Sequence, residues 1–320
     1  MWPKKNHLHI IEDFLIKKTD VKPVDQPIKR FILSEIKSPS RNQNSFVIPR
    51  AVISFGKVLQ FFSKDLATLF VGKLFSTPVK FSAPDRELTM RNSAKKERLQ
   101  IVGCKAEVQV YTYGYSKRKV LIVHGWAGRG TQLFKIADKV LENRMMVVSF
   151  DGPAHGLSSG KRTNMFEFLE TIREVDKKYG PFEAAIGHSF GGMSLINAVA
   201  DGLKVNRLVI IGADNSIPQI FRYFVQKMEL KAIIYKKLEK IAEEKFKTKL
   251  DNLTSEHKAL KIDIPTLVIH DSDDKYVDVS SAISIRQSLK NGELLITNGL
   301  GHHKIFKDNF VIQRIIDFIR

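Results

Sequence analysis

The sequence is nearly free of cysteine. Cys104 is the one thiol among 320 residues, so no intramolecular disulfide forms and no thiolate zinc site can be assembled from this chain. A lone thiol suits a reducing compartment, and the expected location is cytoplasmic. A secretion signal is also missing by this reading: early lysines precede a short apolar run, but Glu12 and Asp13 interrupt it. Long hydrophobic runs are absent. A spanning helix needs about 18 uncharged apolar residues, and Lys57, Lys64, Asp65 and Lys73 punctuate the best window. No internal repeat stands out, and there is no helix-turn-helix, zinc-finger or aromatic RNA-binding signature.

Acidic residues are the scarce charge, 34 against 52 basic, a balance of +18. Residues 1–100 hold 19 Lys/Arg and 9 Asp/Glu, so more than half of the excess lies in the first third. Charge without a recognition motif supplies salt-sensitive, non-specific affinity only. Nucleic acid is therefore not the expected partner, and a lysine-rich solvated surface accounts for the balance. A lipid headgroup surface is the sharper alternative.

What is present is a globular composition, 43% hydrophobic and 9% aromatic, rich enough in apolar side chains to offset the entropy of ordering. The chain divides into a basic N-terminal extension, 1–97, and a larger α/β domain, 98–320. Within the extension, Pro23, Pro27 and Pro39 and the polar stretch SPSRNQNS predict an irregular, loosely ordered lead-in over residues 1–45. Between Arg50 and Phe75, Val52, Phe55, Leu59, Phe62, Leu66, Leu69 and Phe70 recur at three- and four-residue steps, which predicts one or two amphipathic helices. Such a face packs on the rest of the protein or makes peripheral membrane contact through residues 50–75.

Beyond residue 98 the pattern becomes short β-branched runs separated by helical stretches. KAEVQVYTYG alternates as a half-buried antiparallel strand does. KVLIVHG (119–125), MMVVSFD (145–151), FEAAIGHS (182–189), RLVIIGA (207–213), TLVIHD (266–271) and GELLITN (292–298) are near-continuous apolar strands, with helical segments between them. Strands apolar on both faces in β/α alternation predict a mostly parallel sheet covered by helices, with ligand chemistry at the strand carboxyl ends. Residues 214–262 interrupt the alternation with a charged helical insertion, read as a cap over those ends.

The chemistry concentrates in four loops. Gly187-His188-Ser189-Phe190-Gly191 follows a strand and opens a helix. A serine on so sharp a turn needs small neighbours, and the helix start leaves the Phe190 amide free to face an oxyanion. His124-Gly125-Trp126-Ala127-Gly128 ends the first parallel strand, and the Trp126 amide is the expected second oxyanion donor. The Trp126 indole either walls an acyl pocket or packs under the cap. A serine hydroxyl needs a base and the base an orienting acid. Asp271, Asp273 and Asp274 are acids in one loop, and His302 and His303 follow the next strand. His302 is preferred because Gly301 makes room for its imidazole. Three neighbouring carboxylates also resemble a cation site, but no second acidic cluster accompanies them, and no metal or organic cofactor is expected. Asp151 is expected to cap its own tight loop, and His155 and His188 lie near the site either as hydrogen-bonded loop residues or as substrate contacts.

HGWAGRG, DGPAHGLSSG, GHSFGG, HDSDDKYV and GLGHH together resemble the α/β-hydrolase superfamily over about residues 100–320. The resemblance implies a serine esterase- or lipase-like hydrolase acting on a small-molecule acyl substrate, with a helical cap between the sixth and seventh strands. Its G-x-x-D-x-x-V loop maps the acid onto Asp274, with Val277 three residues on, and its G-H signature maps the base onto His302. Asp271 stands where the superfamily usually has Gly, a departure in that loop. Acyltransferases, thioesterases and cofactor-free lyases share the scaffold, and a non-enzymatic basic binding protein is the rival from another class. Phe221, Tyr223, Phe224, Met228, Ile233 and Tyr235 are candidate pocket walls from the insertion. Oligomeric state is not legible.

Overall fold

A computed structural model describes residues 48–320. The irregular lead-in predicted for residues 1–45 lies outside the described residues. Helices α1 (Arg50–Phe62) and α2 (Lys64–Phe75) come first, broken at Ser63, whose backbone is extended and whose hydroxyl caps α2 by accepting from the Leu66 amide at 3.3 Å. A short helix α3 (Leu88–Ser93) leads into two antiparallel strands, β1 (Lys95–Ile101) and β2 (Ala106–Tyr113).

The alternation then runs β3 (Lys119–Val123), α4 (Phe134–Glu142), β4 (Met146–Phe150), α5 (Met165–Tyr179), β5 (Ala184–His188), α6 (Phe190–Ala200) and β6 (Arg207–Ile211). The insertion between β6 and β7 contributes α7 (Ile217–Lys227), α8 (Ile233–Phe246) and α9 (Ser255–Ala259). The chain closes with β7 (Thr266–Asp271), α10 (Ser280–Ser288), β8 (Gly292–Thr297), α11 (Gly301–Lys304) and α12 (Asn309–Ile319).

The eight strands form one sheet in the order β1-β2-β4-β3-β5-β6-β7-β8, parallel from β4 to β8. Alternate residues of the parallel strands feed two cores. Leu121, Val123, Ala185, Leu208, Ile210 and Val268 meet α5, α6, α10 and the insertion, whereas Val120, Ile122, Ala184, Ile186, Val209, Ile211, Leu267 and Ile269 meet α4 and α12. Burial on both faces is what makes these strands read as continuous apolar runs.

Two details differ from expectation. β1 has no apolar alternation because KKERLQI is an exposed edge strand whose charges protect its open side, buried only at Ile101. β2 is buried at six of its eight positions: β1 and β4 pair with its two edges, and the loop after β4 lies against it, with the Gln109 amide donating to Ser158 Oγ at 2.9 Å.

Helices α1 and α2 share the first core. Ala67 and Val71 are fully buried with Met228, Ile234 and Leu238 of the insertion. Gly56 and Gly72 let the helices approach: a Cβ on Gly56 would stand 3.1 Å from Met228 Cε, and one on Gly72 3.0 Å from a Leu238 methyl.

Candidate active site

Strand register gathers the four loops at one end of the sheet. Val123 pairs with Gly187, His188 with Ile211, Ile211 with Ile269 and Asp271 with Thr297. The segments that follow β3, β5, β7 and β8 therefore emerge side by side.

Ser189 sits between β5 and α6 at φ 53° and ψ −120°, a left-handed conformation that a non-glycine residue holds only when its surroundings enforce it. Its amide donates to the Ile211 carbonyl at 2.8 Å, and its carbonyl accepts the Met193 amide at 3.1 Å as the helix begins. The flanking glycines are sterically required. A Cβ on Gly187 would lie 2.7 Å from the Gly191 carbonyl oxygen and the Gly192 backbone, and one on Gly191 would lie 2.4 Å from the Val123 carbonyl oxygen. Across the turn, Gly125 approaches so closely that its Cβ would stand 3.0 Å from Ser189 Cβ.

His302 Nδ1 lies 2.6 Å from Asp274 Oδ2. In the neutral imidazole this contact puts the proton on Nδ1, where it donates to the carboxylate, and leaves Nε2 as the acceptor nitrogen. The Asp274 side chain is only 1% exposed, and its other oxygen accepts the Tyr276 and Val277 amides at 2.8 and 3.0 Å. Burial alone would push this carboxyl up, but the hydrogen bond and charge of His302 outweigh it, and the pKa lies below the usual 3.8. Gly212 holds φ 57°, a conformation that favours glycine, and lies in van der Waals reach of the imidazole: a Cβ there would stand 3.4 Å from His302 Nδ1.

The comparisons with known proteins follow this geometry. Residues 119–232 match a family model described as the alpha/beta hydrolase fold. Solved structures align over most of their length. A candidate lipase of Acinetobacter baumannii AYE shares 20% identity with a TM-score of 0.57, covering 75% of this chain and 96% of that one. Est1E of Butyrivibrio proteoclasticus, with ferulic acid bound, shares 19% at 0.55, over 70% and 99%. A membrane phospholipase A described as a bacterial virulence factor shares 16% at 0.57, over 84% and 96%. The chain has the α/β-hydrolase fold. No curated protein matches its sequence.

Within this fold the three loop carboxylates diverge. Asp273 is exposed, Asp274 meets His302, and Asp271 is fully buried. Asp271, the departure from the family pattern, accepts the Thr297 hydroxyl at 2.7 Å and the Leu300, Gly301 and Asp273 amides at 3.1, 2.8 and 3.0 Å. It thus ties the loop that carries Asp274 to the loop that carries His302. Between the two histidine candidates, His302 reaches Asp274, whereas His303 packs against His188, Tyr276 and Phe306.

Three further histidines hold backbone in place. His188 donates from Nε2 to the His302 carbonyl at 2.9 Å, tying the residue before Ser189 to His302, and burial holds its pKa well below 6.5. His124 donates from Nδ1 to the Gly125 carbonyl at 2.7 Å and accepts the Gly152 amide on Nε2 at 2.9 Å. His155 donates to the Pro153 carbonyl at 2.9 Å and accepts the Ala127 amide at 3.0 Å. These pairings need neutral rings, and burial lowers His124 to about 3 and His155 to about 4. Asp151 takes the Gly130 and Leu157 amides, each at 2.7 Å.

Sequence reasoning missed two contributors from before residue 98. Buried Glu87 accepts Arg129 through Nε and Nη2, each at 2.7 Å, and the Thr131 hydroxyl at 2.7 Å, which anchors the loop after Trp126. Phe75, the last residue of α2, stacks on Trp126 with ring centroids 6.3 Å apart and meets Phe221 and Phe224 edge-on at 4.8 and 5.3 Å. Trp126 in turn lies 5.4 Å from the Phe190 ring. Neither residue carries a local motif, so no sequence signal identified them. Of the insertion's predicted wall residues, Phe221 and Phe224 join this aromatic group, and Met228 is buried under α1. Tyr223 and Ile233 are exposed, and Tyr235 lies beneath the Arg222 guanidinium.

Proposed function

We propose that the protein is a serine hydrolase that cleaves carboxylic esters or related acyl bonds through an acyl-enzyme on Ser189. The observation that carries this reading is the buried 2.6 Å hydrogen bond from His302 to Asp274, on a scaffold where Ser189 holds the left-handed strand-to-helix turn. His302 Nε2 takes the Ser189 hydroxyl proton as Oγ forms a bond to the acyl carbonyl carbon. The resulting oxyanion is stabilised by the Phe190 and Trp126 amides. The first of these belongs to the first residue of α6, where no acceptor exists within the helix. The tetrahedral species collapses to the acyl-enzyme and expels the alcohol, which receives the proton held by His302. Water, deprotonated by His302, then attacks the acyl carbon, and the acid and free Ser189 are released.

In this reading the insertion between β6 and β7 is the cap, and Trp126, Phe75, Phe221 and Phe224 wall an apolar acyl subsite. Aromatic walls with few polar groups favour acyl chains or aromatic acyl groups. A fluorophosphonate probe should label the wild type and leave Ser189→Ala unlabelled. Turnover of p-nitrophenyl acyl esters should fall by about 10⁵-fold in that variant. Equal labelling of the two folded proteins, or equal turnover, would remove the serine-nucleophile reading.

A further inference from the structure

Helix α1 is apolar on both sides. Its inner face places Val52, Ile53 and Leu59 against the core. Its outer face exposes Ala51, Ser54, Phe55, Val58, Phe61 and Phe62 in helical register, flanked along one edge by the exposed Arg50 and Lys57. Phe61 is 84% exposed and Phe62 77%, with ring centroids 5.3 Å apart. Leu66 and Leu69 of α2 and, beyond it, Val79 and Phe81 extend the exposed apolar residues. A helix at the surface of a water-solvated monomer turns polar residues outward, and a contiguous apolar face of this kind marks contact with another apolar phase.

The charges around the patch say what that phase is. From Arg50 to Phe81 there are five cations, Arg50, Lys57, Lys64, Lys73 and Lys80, against one carboxylate, Asp65. Asp65 is already paired with Lys237 at 2.6 Å, and of the five cations Lys57 is paired with Glu229 from the insertion. Lys64 is exposed at the start of α2, and Lys73 lies one turn beyond Leu69 on the same exposed side. A second copy docked through this face would bring the same cations together across a two-fold axis, whereas anionic headgroups would neutralise them. No described helix is long and apolar enough to cross a membrane.

We propose that the α1–α2 hairpin docks on the surface of an anionic lipid bilayer, with Phe55, Val58, Phe61 and Phe62 in the acyl boundary and Lys64 and Lys73 at the headgroups. Helix α2 runs from that surface to Phe75, against Trp126. On the serine-hydrolase reading, on which this last step rests, the docked enzyme takes acyl substrates from the bilayer.

The test is co-sedimentation of the full-length chain with phosphatidylcholine vesicles, with and without phosphatidylglycerol. Wild type should partition onto the anionic vesicles. The Phe61→Ser/Phe62→Ser variant should partition at least about tenfold less while keeping its thermal midpoint, since both side chains are exposed. Lys64→Glu/Lys73→Glu should lose about tenfold on anionic vesicles and little on neutral ones. Ser189→Ala should bind as wild type does, so docking and catalysis fail separately. The proposal is overturned if wild type stays in the supernatant or if the double-serine variant binds equally. It is also overturned if sedimentation velocity shows a dimer that the double-serine variant abolishes, which would make a second copy the occupant.

Discussion

The loops around Ser189 and the hairpin of α1 and α2 invert the usual distribution of side chains in opposite ways. The loops bury carboxylates and imidazoles: Asp271, Asp274, His124, His155 and His188 are all withdrawn from water. The hairpin exposes phenylalanines. A buried polar group costs stability unless its hydrogen bonds are made, and the loops meet most of this with amides, hydroxyls and carbonyls drawn from several strand ends, His188 Nδ1 being left without a partner. An exposed aromatic needs no partner to keep the fold, only a medium that receives it. Polar burial is therefore coupled to the stability and shape of this molecule, and apolar exposure to what it touches.

Substitutions sharpen that contrast. After the substitution of Ser189, the largest effect belongs to Asp274→Asn, which would keep the geometry but disturb the tautomer of His302. Turnover of p-nitrophenyl esters at neutral pH should drop by about 10³–10⁴-fold with little change in fold. An unchanged rate would mean that the acid is elsewhere. Next comes Asp271→Ala, which strips the acceptor from three backbone amides and the Thr297 hydroxyl. Urea denaturation should show a loss of about 3–5 kcal/mol, and a loss under about 1 kcal/mol would show that the two loops hold together without it.

A smaller effect comes from pH. His124 and His155 fold with pKa values lowered by burial from 6.5 to about 3 and about 4. The unfolded chain takes up protons on these rings below about 6.5 while the folded chain does not. Stability from the neutral rings is thus complete above pH 6.5 and declines as pH falls toward about 4. Calorimetry should place the midpoint at about pH 5 lower by about 5 °C or more than at about pH 7.5. A flat profile would show that these rings are not held neutral. At the far end of the scale, Phe61→Ser/Phe62→Ser should move stability by about 0.5 kcal/mol per site or less, which would confirm the asymmetry between the two regions.

Legibility followed the range of the interactions. The six parallel strands, the helices between them and the turn at Ser189 were visible because each rests on local signals: continuous apolar runs, helical periodicity, and glycines where a Cβ would collide with backbone. β1 was invisible because an edge strand guarded by Lys95, Lys96, Glu97 and Arg98 shows no apolar alternation. The acid loop was read only in part. The spacing around Asp274 suggested its place, but nothing near Asp271 indicates that it would accept hydrogen bonds from residues 26 to 30 positions away.

The sequence by itself determined the sheet, its carboxyl-end loops and the residue types gathered in them, since hydrophobic periodicity and glycine sterics act over a few residues. Only the tertiary structure decided that Glu87 anchors the loop after Trp126, that Phe75 reaches the Trp126 ring, and that one side of α1 is left facing outward. Those outcomes depend on which surfaces remain once the strands have been ordered, and strand order is a long-range property that no short window of residues contains.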